Sequence, residues 1–175
     1  MAKADLRVKG PQATLQRYLV SGGTAIQAGE PLHSTATLSS GLASANTYVL
    51  AAADTPVIGT HKFGGVAIKN SLNAAAGTVN EQFLPCACPV PSVGRIVGKA
   101  ETQASVDTLT ELALLIQDVV LIDYSATGAA DGGELYTIKE VGSADTSRLE
   151  IVWGNVHTKE LEVSVAATAY RHDVS

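Results

Sequence analysis

Two cysteines come closest to forming a chemical site, because Cys86 and Cys88 are separated by a single residue. Alternate residues of a β-strand point to the same face, so both thiolates could bind one zinc ion. Such a site would need two further ligands, and the histidines include no closely spaced pair: His33, His61, His157 and His172. Buried cysteines more often act as small apolar core residues. We therefore predict structural thiols, with a zinc site or a redox pair as the alternatives.

Acidic residues offer two weaker candidates. Asp131 begins an Asp-Gly-Gly-Glu segment, but among residues 126–130 only Thr127 offers a side-chain oxygen. A calcium-binding EF-hand loop needs acidic ligands spaced over about twelve residues. Four other carboxylates could supply a pair for hydrolysis: Asp118, Asp123, Glu134 and Glu140. Their positions are typical of solvated charges at strand ends, so we predict a turn at Asp131 and no catalytic pair.

The glycines and serines add no recognisable catalytic or phosphate-binding motif. The chain contains neither a G-x-G-x-x-G sequence nor a P-loop, and it has no G-x-S-x-G nucleophile elbow. We therefore predict no catalytic, cofactor-binding or metal-binding residues, and we expect that the protein is not an enzyme.

The composition favours a protein that assembles with other subunits. Charged residues make up 17% of the 175 residues, below the typical value of ~25%. A surface with few charges loses less hydration energy when another subunit covers it.

The sequence shows no sign of nucleic-acid or membrane partners. The 12 Lys and Arg are scattered, whereas nucleic-acid binders show a basic stripe. Apolar runs such as residues 112–116 are too short to cross a bilayer. We expect a soluble protein made in a cytoplasm, without nucleic-acid or membrane partners.

Short apolar segments separated by glycine, proline or Asx turns predict a mostly β fold. The chain is organised around residues 63–91, which read as a strand ending near Ile68, a polar connection and a returning strand from Gly77. Further strands are predicted at residues 47–52, 93–100, 119–124, 135–141, 149–153 and 160–167. The last of these alternates apolar and polar side chains, as a half-buried strand does. This layout is typical of a small antiparallel β-barrel or sandwich.

Residues 105–117 predict the one short helix. Ser105 or Asp107 could cap its start, and Glu111 falls within its first turns. An apolar stripe occupies positions i, i+3, i+4 and i+7 of a helical face: Leu109, Leu112, Ala113 and Ile116. We expect this helix to run directly into the strand at 119–124.

The first 20 residues carry a basic bias and too few apolar side chains to pack alone. Two interpretations stay open: a loosely ordered terminus, or an extended N-terminal arm that orders on the acidic surface of a neighbouring subunit. In the second interpretation the partner-binding residues are Lys3, Leu6, Arg7, Val8, Lys9, Leu15 and Arg17. The predicted units are the arm at 1–20, a β-barrel-like domain at 21–103, and a β-rich lobe with the helix at 104–175. The lobe could belong to the same domain as 21–103.

Several short motifs occur in a recognisable order between residues 24 and 100. Residues 28–32 read AGEPL, and they are followed by VIG at 57–59, GVA at 65–67, AGTV at 76–79 and a proline-containing stretch at 85–91. This pattern resembles that of small phage capsid decoration proteins, also called cement or head-stabilising proteins, in which an A-G-(D/E)-P-(V/L) step occurs. Residues 105–175 lie outside the pattern, and they could form a further domain, a trimer contact or a projection.

The resemblance implies a compact β-barrel or β-tulip on the capsid exterior, a homotrimer, an arm that reaches neighbouring subunits, and the major capsid protein as partner. We therefore expect a virion structural protein that stabilises the mature shell across subunit joints. Another virion component, such as a spike, tail-tube or minor capsid protein, is the alternative within this class. A small β-barrel module for a sugar or peptide is the alternative outside it. Such modules usually expose aromatic residues, and this chain has only Trp153, five Tyr and two Phe, several of which are expected in the core.

Overall fold

The computed structural model describes residues 6–21, 27–35, 47–48, 61–70, 79–124, 134, 136–140 and 149–166. These residues form strands, one α-helix (α1) and a short 3-10 helix. The strands are β1 (Arg7–Lys9), β2 (Gln12–Ser21), β3 (Pro31–Thr35), β4 (Thr47–Tyr48), β5 (His61–Ala67), β6 (Val79–Pro89), β7 (Arg95–Lys99), β8 (Val119–Tyr124), β9 (Tyr136–Glu140), β10 (Leu149–Asn155) and β11 (Glu160–Val165). The 3-10 helix is Gln103–Val106 and α1 is Leu109–Leu115.

The strands form two sheets. An antiparallel six-stranded sheet has the order β1-β7-β11-β10-β8-β9, and a five-stranded sheet has the order β3-β5-β6-β2-β4, in which only the β2–β4 pair is parallel. The predicted mostly β fold with one helix is thus confirmed. The six-stranded sheet is curled, because Ala100, just after β7, forms a parallel bridge with Ile138 of the edge strand β9. Across the described strands this single bridge does not complete a closed barrel.

Two chain segments run through both sheets together. The segment of β1 and β2 pairs with the segment of β6 and β7, first as β1 with β7 and then as β2 with β6. Both segments cross between the sheets at the same place, where the Val90 N–H donates to the Pro11 carbonyl at 3.0 Å. The predicted boundary at residues 103 and 104 therefore does not separate the sheets, since β1 and β7 lie in the same sheet as β8 to β11.

The predicted strands are confirmed where the structure describes them. The predicted strand and returning strand are β5 and β6, which pair antiparallel with Val66 opposite Ala87. In β11 the side chains of Leu161, Val163 and Val165 are buried, while the residues between them are partly exposed. The predicted segment at 57–59 and the predicted turn at Asp131 lie outside the described residues.

The helix differs from its prediction in start and in buried face. Thr108 caps it instead of Ser105 or Asp107: the Glu111 N–H donates to the Thr108 Oγ1 at 3.2 Å, and the Thr108 N–H donates to the Glu111 Oε2 at 2.8 Å. This capping box leaves Leu109 at the first helical position, where it is 74% exposed.

The buried face of α1 is formed by Leu112 and Leu115 rather than by the full predicted stripe. Ala113 is exposed and Ile116 only packs at the margin of the core. The helix ends after two turns because Gln117 adopts a φ of 79° and donates its N–H to the Ile151 carbonyl at 2.8 Å. That hydrogen bond turns the chain into β8.

The core lies on the inner face of the curled six-stranded sheet, and Leu6 is inserted into it. Leu6 is 3% exposed, and a Cβ added to Gly98 of β7 would lie 2.5 Å from its Cδ2 and 3.4 Å from the Cδ1 of Ile138. Glycine at position 98 therefore provides the space for Leu6. The largest fully buried side chains around them are Ile96, Val106, Val120, Ile138, Ile151, Val163 and Val165.

The predicted extended N-terminal arm is wrong for the described residues 6–20. Leu6 is in the core, β1 adds a strand to the six-stranded sheet, and β2 lies inside the five-stranded sheet. Backbone pairing and apolar burial hold this segment within its own chain. Contact of the segment with a neighbouring subunit stays a prediction.

We predict that Leu6→Ala lowers the free energy of unfolding by about 2–5 kcal/mol, because it leaves a cavity in a closed core. Leu114→Ala is the matched control, since Leu114 is 75% exposed and its loss should change stability by no more than about 0.5 kcal/mol. Urea unfolding followed by circular dichroism measures both values. Equal stability of the two variants would contradict the placement of Leu6.

Candidate functional site

A mixed-charge surface covers the outward side of β1, β7, β11 and β10. The register aligns Arg7, Val97, Glu162 and Trp153 in one row across these four strands. Neighbouring rows add further charged side chains with the same orientation, because every second residue of a strand points to the same side. We call this surface the charged face and define it by Arg7, Lys9, Arg95, Lys99, Glu150, Glu160, Glu162 and Trp153.

Two ion pairs hold the edge strand β1 to the rest of the charged face. Arg7 donates two hydrogen bonds to the Glu160 carboxylate at 2.8 and 2.9 Å, and the Lys9 ammonium pairs with Glu162. Both pairs join β1 to β11, so their side chains pass over β7, which lies between those strands. Val97 of β7 is only 2% exposed although it points outward. The apolar stems of the charged side chains therefore act as its cover.

The hydrogen bonds and positive charge of Arg7 hold the pKa of Glu160 below its ordinary value. Glu160 also accepts a hydrogen bond from the Thr158 hydroxyl at 3.1 Å. The carboxylate is thus kept ionised at neutral pH, and Arg7 stays fixed above the sheet.

The other two basic side chains are held by carbonyl groups. Arg95 donates from one guanidinium nitrogen to the carbonyls of Ser92 and Gly94, each at 3.0 Å. Lys99 donates to the carbonyl of Thr158. Four basic side chains therefore share the charged face with three carboxylates, of which Glu150 lies in the row of Lys9 and Arg95. The face has a small excess of positive charge, although the formal net charge of the chain is −5.

Trp153 is the functional candidate that the sequence analysis missed. The β10–β11 register shifts between Ile151 and Trp153, which places an extra residue in β10. The bulge turns Trp153 outward, where it is 59% exposed, and turns Gly154 inward against Leu112 of α1. Regular alternation from Ile151 would have put Trp153 in the core. The glycine that follows it is the only signal in the sequence for a bulge.

The structure brings together only part of the predicted partner-binding set. Arg7 and Lys9 lie on the charged face, whereas Leu6 is buried and Val8 packs against the core. The remaining three predicted residues are elsewhere: Leu15 and Arg17 lie in β2 of the other sheet, and Lys3 lies outside the described residues.

The two cysteines lie in the interior. Cys86 and Cys88 are both buried in β6, and burial together with the neighbouring thiol raises the pKa of Cys86 well above its ordinary value. A thiol with a raised pKa is protonated at neutral pH and is a poor nucleophile and metal ligand. In the part of the chain that the structure describes, no three His, Cys, Asp or Glu residues lie close enough together to hold a metal ion.

Two of the predicted carboxylate candidates lie in the β8–β9 ladder. The register sets Glu140 opposite Val120 and Asp123 opposite Thr137, so the two residues are three positions apart along the strands. Asp118 precedes β8 and its backbone carbonyl accepts the Ile151 N–H at 3.0 Å.

Residues 28–32 form a joint between the two sheets. The Gly29 N–H donates to the Ala67 carbonyl at 2.8 Å, and the Ala67 N–H returns a hydrogen bond to the Glu30 carbonyl at 2.9 Å. The Gly29 carbonyl also accepts the Leu6 N–H at 3.3 Å. Gly29 has a φ of 91°, a conformation that favours glycine. The AGEPL motif thus links the start of β1 to the end of β5.

Glu30 introduces a buried carboxyl group into this joint. It is 4% exposed, and its Oε2 accepts the Gln27 N–H at 2.9 Å. Burial raises the pKa of Glu30, and the hydrogen bond from Gln27 only partly opposes this effect. The motif therefore has a structural role at a cost in stability when the carboxyl group ionises.

No helix among the described residues is long and apolar enough to cross a membrane. Comparison with protein-family models, with curated proteins and with solved structures finds no match for the chain.

We predict that Glu30→Gln changes the pH dependence of stability. A raised folded-state pKa means that the wild type loses stability as pH rises from about the ordinary value of 4.5 through the raised value. The glutamine amide can still accept the Gln27 N–H but does not ionise. The variant should therefore gain stability relative to the wild type between pH 4 and 7, measured as urea midpoints. Exposed Glu150→Gln is the control, and an equal pH effect in both variants would contradict the prediction.

We predict the opposite pH effect at Arg7. The lowered pKa of Glu160 stabilises the fold above the ordinary value of 4.5, and this stabilisation is lost as pH falls through the lowered value. Arg7→Gln should remove up to about 1 kcal/mol at neutral pH, because the pair is partly solvated, and less at pH 3. Lys69→Gln removes an exposed lysine outside the six-stranded sheet and should keep the wild-type profile. A pH-independent loss in Arg7→Gln would contradict the role of the ion pair.

Proposed function

We propose that this chain is a virion structural protein that binds the outside of a phage capsid and stabilises the mature shell across subunit joints. The observation that carries the proposal is the charged face with Trp153 exposed at its margin. The partner is the major capsid protein, and the working assembly is a homotrimer on the capsid exterior. The order of motifs between residues 24 and 100 supports this choice of class.

The charged face is suited to contact a partner because its side chains are already held in place. Arg7, Lys9, Arg95 and Lys99 each make a hydrogen bond or ion pair within the chain. Fewer rotamers are then lost when a partner covers the surface, which lowers the entropic cost of binding. Tryptophan and arginine are also the residues most often found at binding hot spots.

The excess of basic side chains on this face favours an acidic partner surface. We propose that the charged face replaces the extended arm as the main contact with the capsid, since the segment that holds Arg7 and Lys9 is a strand of the fold. The two predicted residues on this face thus keep a partner-binding role in the proposal.

We also propose that the curled six-stranded sheet belongs to a barrel-like or tulip-like domain. The bridge between Ala100 and Ile138 supports this, because it brings a strand near one edge of the sheet to the strand at the opposite edge. Such closure would protect the edge of β9 from pairing with other chains.

Stabilisation of a shell needs only selective binding. A protein that binds the expanded lattice and not the immature lattice shifts the equilibrium towards the expanded state by mass action. A spike, tail-tube or minor capsid protein would present a similar surface to a different part of the virion. Binding tests with heads and with tails distinguish these alternatives.

We predict that Trp153→Ala weakens binding to expanded phage heads by about tenfold or more, as expected for a hot-spot tryptophan. Co-sedimentation with purified heads that lack this protein measures the affinity, with unexpanded heads as a second target. Leu114→Ala, which removes a similarly exposed side chain on α1, should bind as the wild type does.

Two results would contradict the proposal in different ways. Wild-type affinity of Trp153→Ala would show that the charged face is not the contact surface. Absence of wild-type binding to both kinds of head would reject the capsid-binding function itself.

A further inference from the structure

A cavity of about 200 Å³ opens where the chain leaves β7 and passes beneath the 3-10 helix. Its floor is apolar and belongs to the core: Val106, Leu115, Ile138, Ile151 and Leu161 all line it and are nearly or fully buried. These side chains lie on the inner side of the six-stranded sheet. The cavity is therefore separated by the sheet from Trp153 and the rest of the charged face.

The mouth of the cavity is polar and carries more negative than positive charge. Glu101 and Lys139 pair at 3.2 Å on one side, and the exposed Glu140 adds a second carboxylate. Ser105 of the 3-10 helix also lines the cavity. A group that enters here meets an apolar floor and an anionic rim.

Backbone and side-chain hydrogen bonds hold the walls of the cavity. The Glu101 N–H donates to the Ile138 carbonyl at 3.0 Å, and the Ala100 N–H donates to the Lys159 carbonyl at 2.9 Å. The Lys159 ammonium donates to the Val106 carbonyl at 3.3 Å, which fixes the end of the 3-10 helix. The cavity is thus formed before any ligand enters, as small-molecule sites usually are.

We propose that this cavity binds a small cationic apolar molecule: an aromatic or branched aliphatic group with an ammonium group at one end. An apolar protein cavity of about 150 Å³ can hold benzene, so the volume found here suits one ring with a short substituent. The apolar group contacts Val106, Ile138 and Ile151, and the ammonium group lies at the mouth near Glu140. This site does not depend on the proposed capsid-binding function, because the two surfaces lie on opposite sides of the sheet.

The probe for this site is phenethylamine, titrated into the full chain and followed by the methyl NMR signals of isoleucine, leucine and valine. We expect saturable shifts confined to Ile138, Ile151, Leu115, Leu161 and Val106, with a dissociation constant in the range of about 1 mM or below, typical of a ligand of this size. Phenylacetate has the same ring with the opposite charge, and it should bind at least about tenfold more weakly.

Three variants test the assignment of the residues. Glu140→Gln should weaken phenethylamine binding several-fold, whereas Glu150→Gln, an exposed glutamate that does not line the cavity, should leave it unchanged. Ser105→Leu should fill the cavity and abolish binding while the unfolding transition shows an intact fold.

Absence of saturable shifts up to about 10 mM phenethylamine would overturn the proposal, since such binding would be weaker than a nonspecific contact. Shifts centred on residues outside the cavity, or equal binding of phenylacetate, would also overturn it.

Discussion

The insertion of Leu6 into the core of the six-stranded sheet is the interaction on which the charged face depends. Gly98 leaves the space for the Leu6 side chain, and Ile138 closes that space from the opposite edge strand. Once Leu6 points inward, the alternation of β1 forces Arg7 and Lys9 outward. The two basic side chains then reach over β7 to Glu160 and Glu162. These two glutamates point outward because they alternate along β11 with buried residues.

The same segment also joins the two sheets. The backbone of Leu6 donates to Gly29, and Gly29 is hydrogen bonded to Ala67 at the end of β5. The AGEPL motif, which in the sequence supports only a resemblance to capsid decoration proteins, has a definite physical task in this fold. Its buried Glu30 lowers the stability of the fold at neutral pH, where the carboxyl group ionises. The surrounding hydrogen bonds and the burial of neighbouring residues have to offset this cost for the joint to keep its backbone geometry.

Period-two alternation made much of the sheet predictable. β11 is long enough, and buried regularly enough on one side, for its apolar residues to define both strand and register. β8 was predicted instead from its run of β-branched apolar residues. The three-residue β1 has too few positions to show a pattern, and its basic residues suggested a solvated arm. The ion pairs that hold it join residues more than 150 positions apart, and no local pattern in the sequence reports such a contact.

The remaining differences have equally local causes. Trp153 is exposed because one extra residue shifts the register of β10, and a single glycine is a weak signal for such a bulge. The start of α1 was misplaced because Ser105, Asp107 and Thr108 are all competent caps, and the choice among them depends on the 3-10 helix that precedes α1. Most residues of these strands were assigned to strands correctly from the sequence. The charged face and the cavity, which lie on opposite sides of the sheet, could not be predicted, because the order of the strands decides which residues lie side by side.

Hydrogen–deuterium exchange of the isolated chain, followed by NMR at the amides of β1 and β7, tests most directly whether the N-terminal segment belongs to the fold. A strand that is held by Leu6, by backbone pairing and by two ion pairs should show hydrogen-bonded amides that exchange as slowly as their partners in β7. Exchange of the β1 amides at the rate of an unstructured peptide, while β7 remains protected, would contradict this structure and restore the interpretation of the segment as an arm.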